Sequence, residues 1–299
     1  MQLSLVLALV VGLMSAGSAK HYLMESKPSN SHRASIFEPP KDLIALYSGC
    51  QDLPCVRKIS IIYTAALIEL LDLTENSVFL DVGCGIGRIA SGLAIFFGRH
   101  GTGKYEGFDI GSPAIEWNKN AYKNLLRFNF RHADIYSKMY NSKGVLFAHN
   151  YSFPYDDNSF DAVFLGSVFT HDYPDAIDNF LSEIRRVMKP GSCSLISWFI
   201  LNDESEAFQK KGKANPPIML HLPSHPESAN FKVASIDNPE AAIAYTEARM
   251  RRFYFDADLT IKFFFQGMWS GRPRSYGYRG WEGGHGYQDA VLACKSSLS

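Results

Sequence analysis

Three glycines, Gly83, Gly85 and Gly87, occupy five positions directly behind the apolar run Val78–Val82, in FLDVGCGIGRIA. A short apolar run of this kind is a buried strand, and a backbone so bare right after it can turn sharply and let another group come close. Further along, short apolar runs alternate with segments of helical spacing. The pattern predicts strands over 78–82, 105–110, 130–133, 160–166 and 193–200, helices over 87–98, 113–128 and 174–188, and a turn, KPGS, at 189–192. Strands separated by helices of this length cannot be hairpins. They require crossover connections and a parallel sheet. The expected fold class is therefore α/β, with a doubly wound, mostly parallel sheet. A helix over 57–73 leans on this sheet, while a helix over 239–253 and strands over 259–266 and 288–294 bring the strand count to seven.

Residues 201–239 break the rhythm with polar, Pro-rich sequence that includes NPPIMLHLPSHPES. The stretch is too long for an ordinary connection and reads as an inserted lid or substrate segment. The domain is expected over 57–299, behind an approach segment at 20–56. The nearly continuous apolar run Leu3–Met14, followed by SAGSA, reads either as a secretory signal peptide cleaved after Ala19 or as a short hydrophobic anchor over 1–19. It is shorter than the roughly 18 to 20 apolar residues of a membrane span. Cleavage implies the secretory pathway or export; otherwise the chain is cytoplasmic or membrane-associated. Membrane contact is expected only through this segment.

The 299 residues carry 30 basic and 30 acidic side chains, so no global field draws the chain to a polyanion and no nucleic acid is expected as a partner. Five cysteines are too few and too irregular for a disulfide framework. Cys50 and Cys55 either pair, if the chain is exported, or remain free thiols. No His/Cys cluster has metal-ligand spacing, so no metal is expected.

In an open α/β sheet the first strand-to-helix turn, at the carboxyl ends of the strands, is the favoured ligand position. The dinucleotide fingerprint G-x-G-x-x-G/A would place its last member at Arg88, which makes a nicotinamide cofactor the weaker reading. Asp81 lies just ahead of the loop. Asp109, 22 positions beyond Gly87, ends the second strand, where a carboxylate can accept from both hydroxyls of a ribose. Asp134 follows the third strand and can accept from an adenine amino group, with Ile110 and Ile135 covering the ring faces. Either acid alone reads as a turn residue or helix cap. Together they point to an adenosine site.

The stretches VFLDVGCGIGR, YEGFDI, HADI, FPYDDNSFDAVFLGSVFTH and FLSEIRRVMKPGS resemble class I S-adenosylmethionine-dependent methyltransferases, of the broad group that includes the type 11 small-molecule enzymes. The resemblance covers roughly residues 57–202 and continues into NPEAAIAYTEARM, GMWSGR and YQDAVLACK. Ser192 departs from it, standing at a usual glycine. It implies a Rossmann-like methyltransferase fold and S-adenosyl-L-methionine as cofactor, with Asp81, Gly83, Gly85 and Gly87 around its methionine end, Asp109 on the ribose, Asp134 on the adenine, and Ser167 and Val168 lining the cleft after strand four.

Methyl transfer from a sulfonium needs a base only when the nucleophile arrives protonated. His171, in SVFTHDYP, is the candidate, with a loop-closing hydrogen bond as its other reading. His285 and Glu282, in the Gly-rich GWEGGHGYQ, are further candidates. The aromatic series from Tyr245 to Phe265 reads as core, while Trp269 and Trp281 are pocket candidates. The absence of an N-P-P-Y stretch after strand four argues against action on DNA bases or protein glutamine. The expected activity is methyl transfer to an oxygen, nitrogen or carbon of a small or lipid-like metabolite. The alternatives are a catalytically silent S-adenosylmethionine-binding protein and an NAD-dependent oxidoreductase.

Overall fold

Val78–Val82 forms β1, buried from Phe79 onward on both faces, as a central parallel strand must be. A computed structural model describes residues 38–98, 101–212, 218, 220–273 and 286–297. Residues 1–19 and residues 20–37 of the expected approach segment lie outside the described residues, as do Trp281, Glu282 and His285. Ahead of β1 stand α1 (Lys41–Tyr47) and α2 (Leu53–Leu70), the latter started by the Asp52 side chain, which accepts from the Cys55 N–H. From Pro39 onward the chain is one compact unit, so residues 39–56 fold with the domain instead of leading up to it.

After β1 come α3 (Arg88–Phe97), β2 (Lys104–Asp109), α4 (Ser112–Ala121), β3 (Phe128–His132), β4 (Phe160–Leu165), α5 (Pro174–Val187) and β5 (Met188–Trp198). With β9 (Leu259–Phe265) and β10 (Asp289–Lys295) they make a seven-stranded sheet in the order β3-β2-β1-β4-β5-β10-β9. Only β10 runs antiparallel to its neighbours. The order reverses between β1 and β4, so the carboxyl ends of these two strands border a crevice. On α5, Ile177, Phe180, Leu181, Ile184 and Val187 form one buried stripe on the sheet, each burial being worth about 1.5–3 kcal/mol.

Four local expectations are corrected. The helix expected to reach Phe128 ends at Ala121 and is followed by turns closed by Leu125 N–H to the Tyr122 carbonyl and Phe128 N–H to the Leu125 carbonyl. Leu126, within that expected helix, is 90% exposed. The expected KPGS turn instead lies inside β5 as an irregularity: Met188 pairs with Phe160 and Cys193 already with Ala162. The segment 239–253 is not one helix. A short 3-10 turn leads into β8 (Ile243–Thr246) and then α7 (Glu247–Asp256). The alanine-rich run favours helix by propensity, but pairing with β6 (Ile200–Leu201) and β7 (Phe231–Val233) overrides it. Finally, the structure carries two disulfides, Cys50–Cys55 and Cys193–Cys294, the second joining register partners of β5 and β10; Cys84 is free and buried.

The segment from Leu201 also carries α6 (Asp203–Lys210), and the small sheet β6-β8-β7 has two apolar faces. Phe231, Val233, Ile243 and Tyr245 join the main core, while Leu201, Ala242 and Ala244 pack with Phe199 and Trp269. Trp269 is fully buried, which removes it as a pocket residue. Its Nε1 donates to Asp289 Oδ2 at 2.6 Å. Asp289, also fully buried, accepts from the N–H groups of Ile200 and Gly267 and from Arg272 Nη1 at 3.1 Å. In the aromatic series Tyr245, Phe253 and Tyr254 are core, whereas Phe255 and Phe263 are exposed.

Two buried carboxylates give measurable consequences. Replacing Asp289 by Asn removes the fully buried partner of Arg272 and leaves the guanidinium only Glu204, at 3.2 Å, as a carboxylate, a loss of about 1.5–3 kcal/mol that thermal or urea unfolding should show; a loss under about 1 kcal/mol would mean that the network does not hold β10 to the small sheet. Asp81, on β1, accepts from the Tyr105 hydroxyl of β2 at 2.6 Å. Burial raises its pKa to about 7, against the lowering effects of Tyr105 and Arg88. Folding therefore favours its protonated form, a contribution complete below the unfolded pKa of about 3.9 and lost as pH rises through about 7. Relative to Asp81→Asn, the wild type should lose melting temperature between about pH 4 and pH 7 and level off above that; a gap that does not change with pH would show that Asp81 stays ionised throughout.

Candidate functional site

The turn after β1 is left-handed at each glycine, with φ of +74° at Gly83, +50° at Gly85 and +74° at Gly87, a conformation side chains resist. Space enforces the same choice. A Cβ at Gly83 would overlap the Val168 side chain, and one at Gly85 would lie 2.7 Å from the Tyr47 carbonyl oxygen. Neighbouring elements hold the loop: the N–H groups of Gly83 and Cys84 donate to the Phe108 carbonyl, Asn118 Nδ2 donates to the Gly85 carbonyl at 2.7 Å, and the Tyr122 hydroxyl donates to that of Gly87. Helix α3 begins at Arg88, so the positive end of its dipole faces the loop.

Asp109, at the end of β2, accepts the Gly85 N–H on Oδ2 and the Gly111 N–H on Oδ1, both at 2.7 Å. Burial raises its pKa while these two N–H groups lower it. An ionised carboxylate has about four acceptor positions, so two donors leave each oxygen able to accept once more. The half-buried Asp134 has Oδ1 oriented by Asn141 Nδ2 at 3.0 Å. Ile110 packs partly buried against the core, and Ile135 is buried within it. Ser167, after β4, has a φ of +63°, unusual for a residue with a side chain; its N–H donates to Ser197 Oγ and its hydroxyl to Gln288 Oε1. Val168 faces Gly83, which brings the loops after β1 and β4 together.

His171 lies in the loop after β4, with Nδ1 2.7 Å from the Glu240 carbonyl. A carbonyl only accepts, so the ring proton is assigned to Nδ1 and Nε2 is the basic nitrogen. Burial lowers its pKa, opposed by the Glu240 contact, and favours the neutral ring. The Tyr140 ring meets it edge-on at 5.8 Å. The next residue, Asp172, has a buried Oδ2 with no hydrogen-bond partner among the described residues; burial, then Glu240 and Asp175, raise its pKa to about 7.

Tyr47, Tyr140, Asp172 and Glu240 escaped the sequence reading. Burial raises the pKa of Tyr47 and Tyr140, and the Asp109 charge adds to it at both phenols, which sets them within electrostatic reach of the candidate ribose acid. The Tyr47 ring also fills the space beside Gly111. A lone tyrosine at the end of a seven-residue helix carries no motif. Asp172, adjacent to His171 in the quoted FTHDYP, was within reach of the reading. Among the described residues no group of acidic, His and Cys side chains could hold a metal ion.

A family model described as a methyltransferase domain matches residues 80–196, from β1 to β5. Over 125 residues the chain is 32% identical to a sterol 24-C-methyltransferase of Gibberella zeae, covering 42% of this chain and 28% of that protein. A sterol 4-C-methyltransferase of Caenorhabditis elegans is 24% identical over 156 residues, 52% of this chain and 40% of that one. The chain thus spans less than half the length of these curated relatives. Among solved structures, a 1,6-didemethyltoxoflavin-N1-methyltransferase of Burkholderia thailandensis with bound S-adenosylhomocysteine aligns with a TM-score of 0.50 and 16% identity, over 85% of this chain and 86% of that one. A protein of Pyrococcus horikoshii OT3 aligns with a TM-score of 0.53 and 14% identity, over 86% of this chain and 100% of that one. At such identities these structures speak for the fold, and the domain match adds the family over its own span: residues 80–196 carry a methyltransferase domain of the class I S-adenosylmethionine-dependent type.

Proposed function

We propose that this chain transfers a methyl group from S-adenosylmethionine to a nucleophilic atom of a lipid-like metabolite. The observation that carries the reading is Asp109, fixed by the two backbone N–H groups of Gly85 and Gly111 and still able to accept from both hydroxyls of a ribose. Asp134 accepts the adenine amino group, and Gly83, Gly85 and Gly87 give the methionine end a backbone surface free of side chains. The cofactor supplies an electrophilic methyl group on a sulfonium. The chain's own residues supply position, which by itself is worth several kcal/mol in a displacement of this kind. Where the acceptor is an O–H or N–H group, His171 Nε2 takes the proton, since burial keeps its ring neutral. A lipid-like acceptor is supported by the sterol methyltransferases among the relatives and by the tyrosines Tyr47 and Tyr140 beside Asp109.

The compartment belongs to the same proposal. Residues 3–14 direct the chain into the secretory pathway, and two disulfides suit an oxidising compartment better than a reducing one. Protein recovered from its native host should begin at Lys20; a retained Met1 would defeat this part of the reading.

Titration calorimetry with S-adenosylmethionine, S-adenosylhomocysteine and NAD tests the cofactor site. Micromolar binding of the first two is expected, weakened about ten- to hundredfold in Asp109→Ala, the scale of a charged hydrogen-bonding group. Because Asp109 also holds its loop, Asp134→Ala is the companion variant, expected to weaken binding with an unchanged melting temperature. Binding of NAD without S-adenosylmethionine would overturn the proposal.

A further inference from the structure

The loop that follows Asp134 exposes an apolar surface that the methyltransferase chemistry does not use. Tyr136 is 44% exposed, Met139 46%, Val145 71%, Leu146 42% and Phe147 54%. They form a patch because the loop folds back on itself. Ile135 bridges to Leu146 and Ser137 to Asn141, the Tyr136 N–H donates to the Leu146 carbonyl, and the N–H groups of Val145 and Leu146 both donate to the Asp134 carbonyl. Phe147 stacks on the exposed His149. A loop tied at this many points holds the five exposed side chains on one short, fixed stretch of backbone.

Charge makes the patch selective. The chain as a whole is neutral, yet residues 135–155 contain Lys138 and Lys143, both exposed, and no Asp or Glu. Of the carboxylates on neighbouring elements, Glu240 accepts from the Ser137 hydroxyl and from the Lys138 and Met139 N–H groups, while Asp175, 3.7 Å from His149, is largely exposed. Lys138 Nζ donates to the Asp237 carbonyl and keeps its charge. Aromatic and aliphatic side chains interleaved with cations gain on a surface that is apolar beneath and anionic above, which describes the interface of an acidic bilayer. The position fits as well. The loop starts at the candidate adenine acid, and its Tyr140 touches His171, so the patch borders the mouth of the cleft.

We propose that the loop over residues 135–149 docks this protein on a membrane bearing anionic headgroups, so that a lipid-like acceptor passes from bilayer to cleft without crossing water. The proposal rests on the lipid-like reading of the acceptor. It adds a membrane contact distinct from the N-terminal segment.

Vesicle sedimentation of the full chain tests it, with phosphatidylcholine alone and with phosphatidylcholine containing phosphatidylserine, comparing wild type, Val145→Asp/Phe147→Asp and Lys143→Glu. All three keep the same N-terminus, so differences belong to the loop. The wild type should bind the phosphatidylserine vesicles more tightly, the double variant should lose about tenfold or more, and Lys143→Glu should lose only the preference for phosphatidylserine. S-Adenosylmethionine titration of each variant should match wild type, which shows that the fold and cofactor site survive. Equal vesicle binding by the double variant and wild type would overturn the proposal. So would absence of binding by wild type together with a dimer that the double variant dissolves, since a second copy would then cover the patch. Failure of wild type to bind S-adenosylmethionine would defeat the methyl-transfer reading on its own, whatever the vesicles show.

Discussion

The grip of the Asp109 carboxylate on the Gly85 and Gly111 N–H groups is the constraint on which the site depends. It ties the loop after β1 to the loop after β2 across the edge of the sheet, and it does so with a charge that burial disfavours. A buried carboxylate is tolerable only when donors converge on it, and backbone N–H groups at fixed positions are suited to that task. The left-handed glycines serve the same end, since along their path the Gly85 N–H meets Asp109 at the end of β2. Asp109 is therefore both the group that shapes the loop and the group best placed to accept a ribose.

Farther along the chain a second buried carboxylate plays a comparable part. Asp289 takes four donors, two from the backbone at Ile200 and Gly267 and two from the side chains of Trp269 and Arg272. These belong to the junction of the central and small sheets and to the turn after β9. At the cleft end, Glu240 gathers the loops after β3 and β4 through Ser137 and His171. The segment inserted after β5 is thus fastened at both ends by polar contacts, and the small sheet between them is cemented by Phe231, Val233, Ile243 and Tyr245 in the main core. It forms a wall of the molecule over its described residues.

The seven strands were legible because their signal is local: Val78–Val82 and Phe160–Leu165 are apolar runs bounded by turns, and burial on both faces leaves no ambiguity of period. What failed was decided by partners distant in sequence. Ile243–Thr246 reads as helix until β6 and β7 flank it, and Leu126 continues a helical spacing although no surface waits to bury it. Cys193 and Cys294 are 101 positions apart, and only the register of β5 against β10 makes them neighbours. The candidates Asp81, Asp109 and Asp134 could be placed on the fold from sequence since each lies in or borders a strand. Tyr47 and Glu240 could not, because a side chain that reaches a site from a short helix or a 3-10 turn leaves no pattern in its own segment.

This division has a consequence for selectivity. The domain match spans residues 80–196 and takes in the glycine loop, Asp109, Asp134 and His171. Tyr47 lies before it and Glu240 after it. The placement of Tyr47 is local and specific: Arg88 Nη1 donates to the Ser48 carbonyl at 2.6 Å, the Ser48 hydroxyl accepts from the Cys50 N–H, and the Cys50–Cys55 disulfide closes the turn into α2. These contacts set the tyrosine carbonyl over Gly85 and its ring against Gly111, where it walls the space in front of Asp109. The residues proposed to hold the methyl donor thus lie within the match, whereas Tyr47 and Glu240, which reach the same loops, lie outside it. On the proposed function, α1 and the turn at Glu240 are the places where a change of acceptor leaves the glycine loop and its carboxylate as they are.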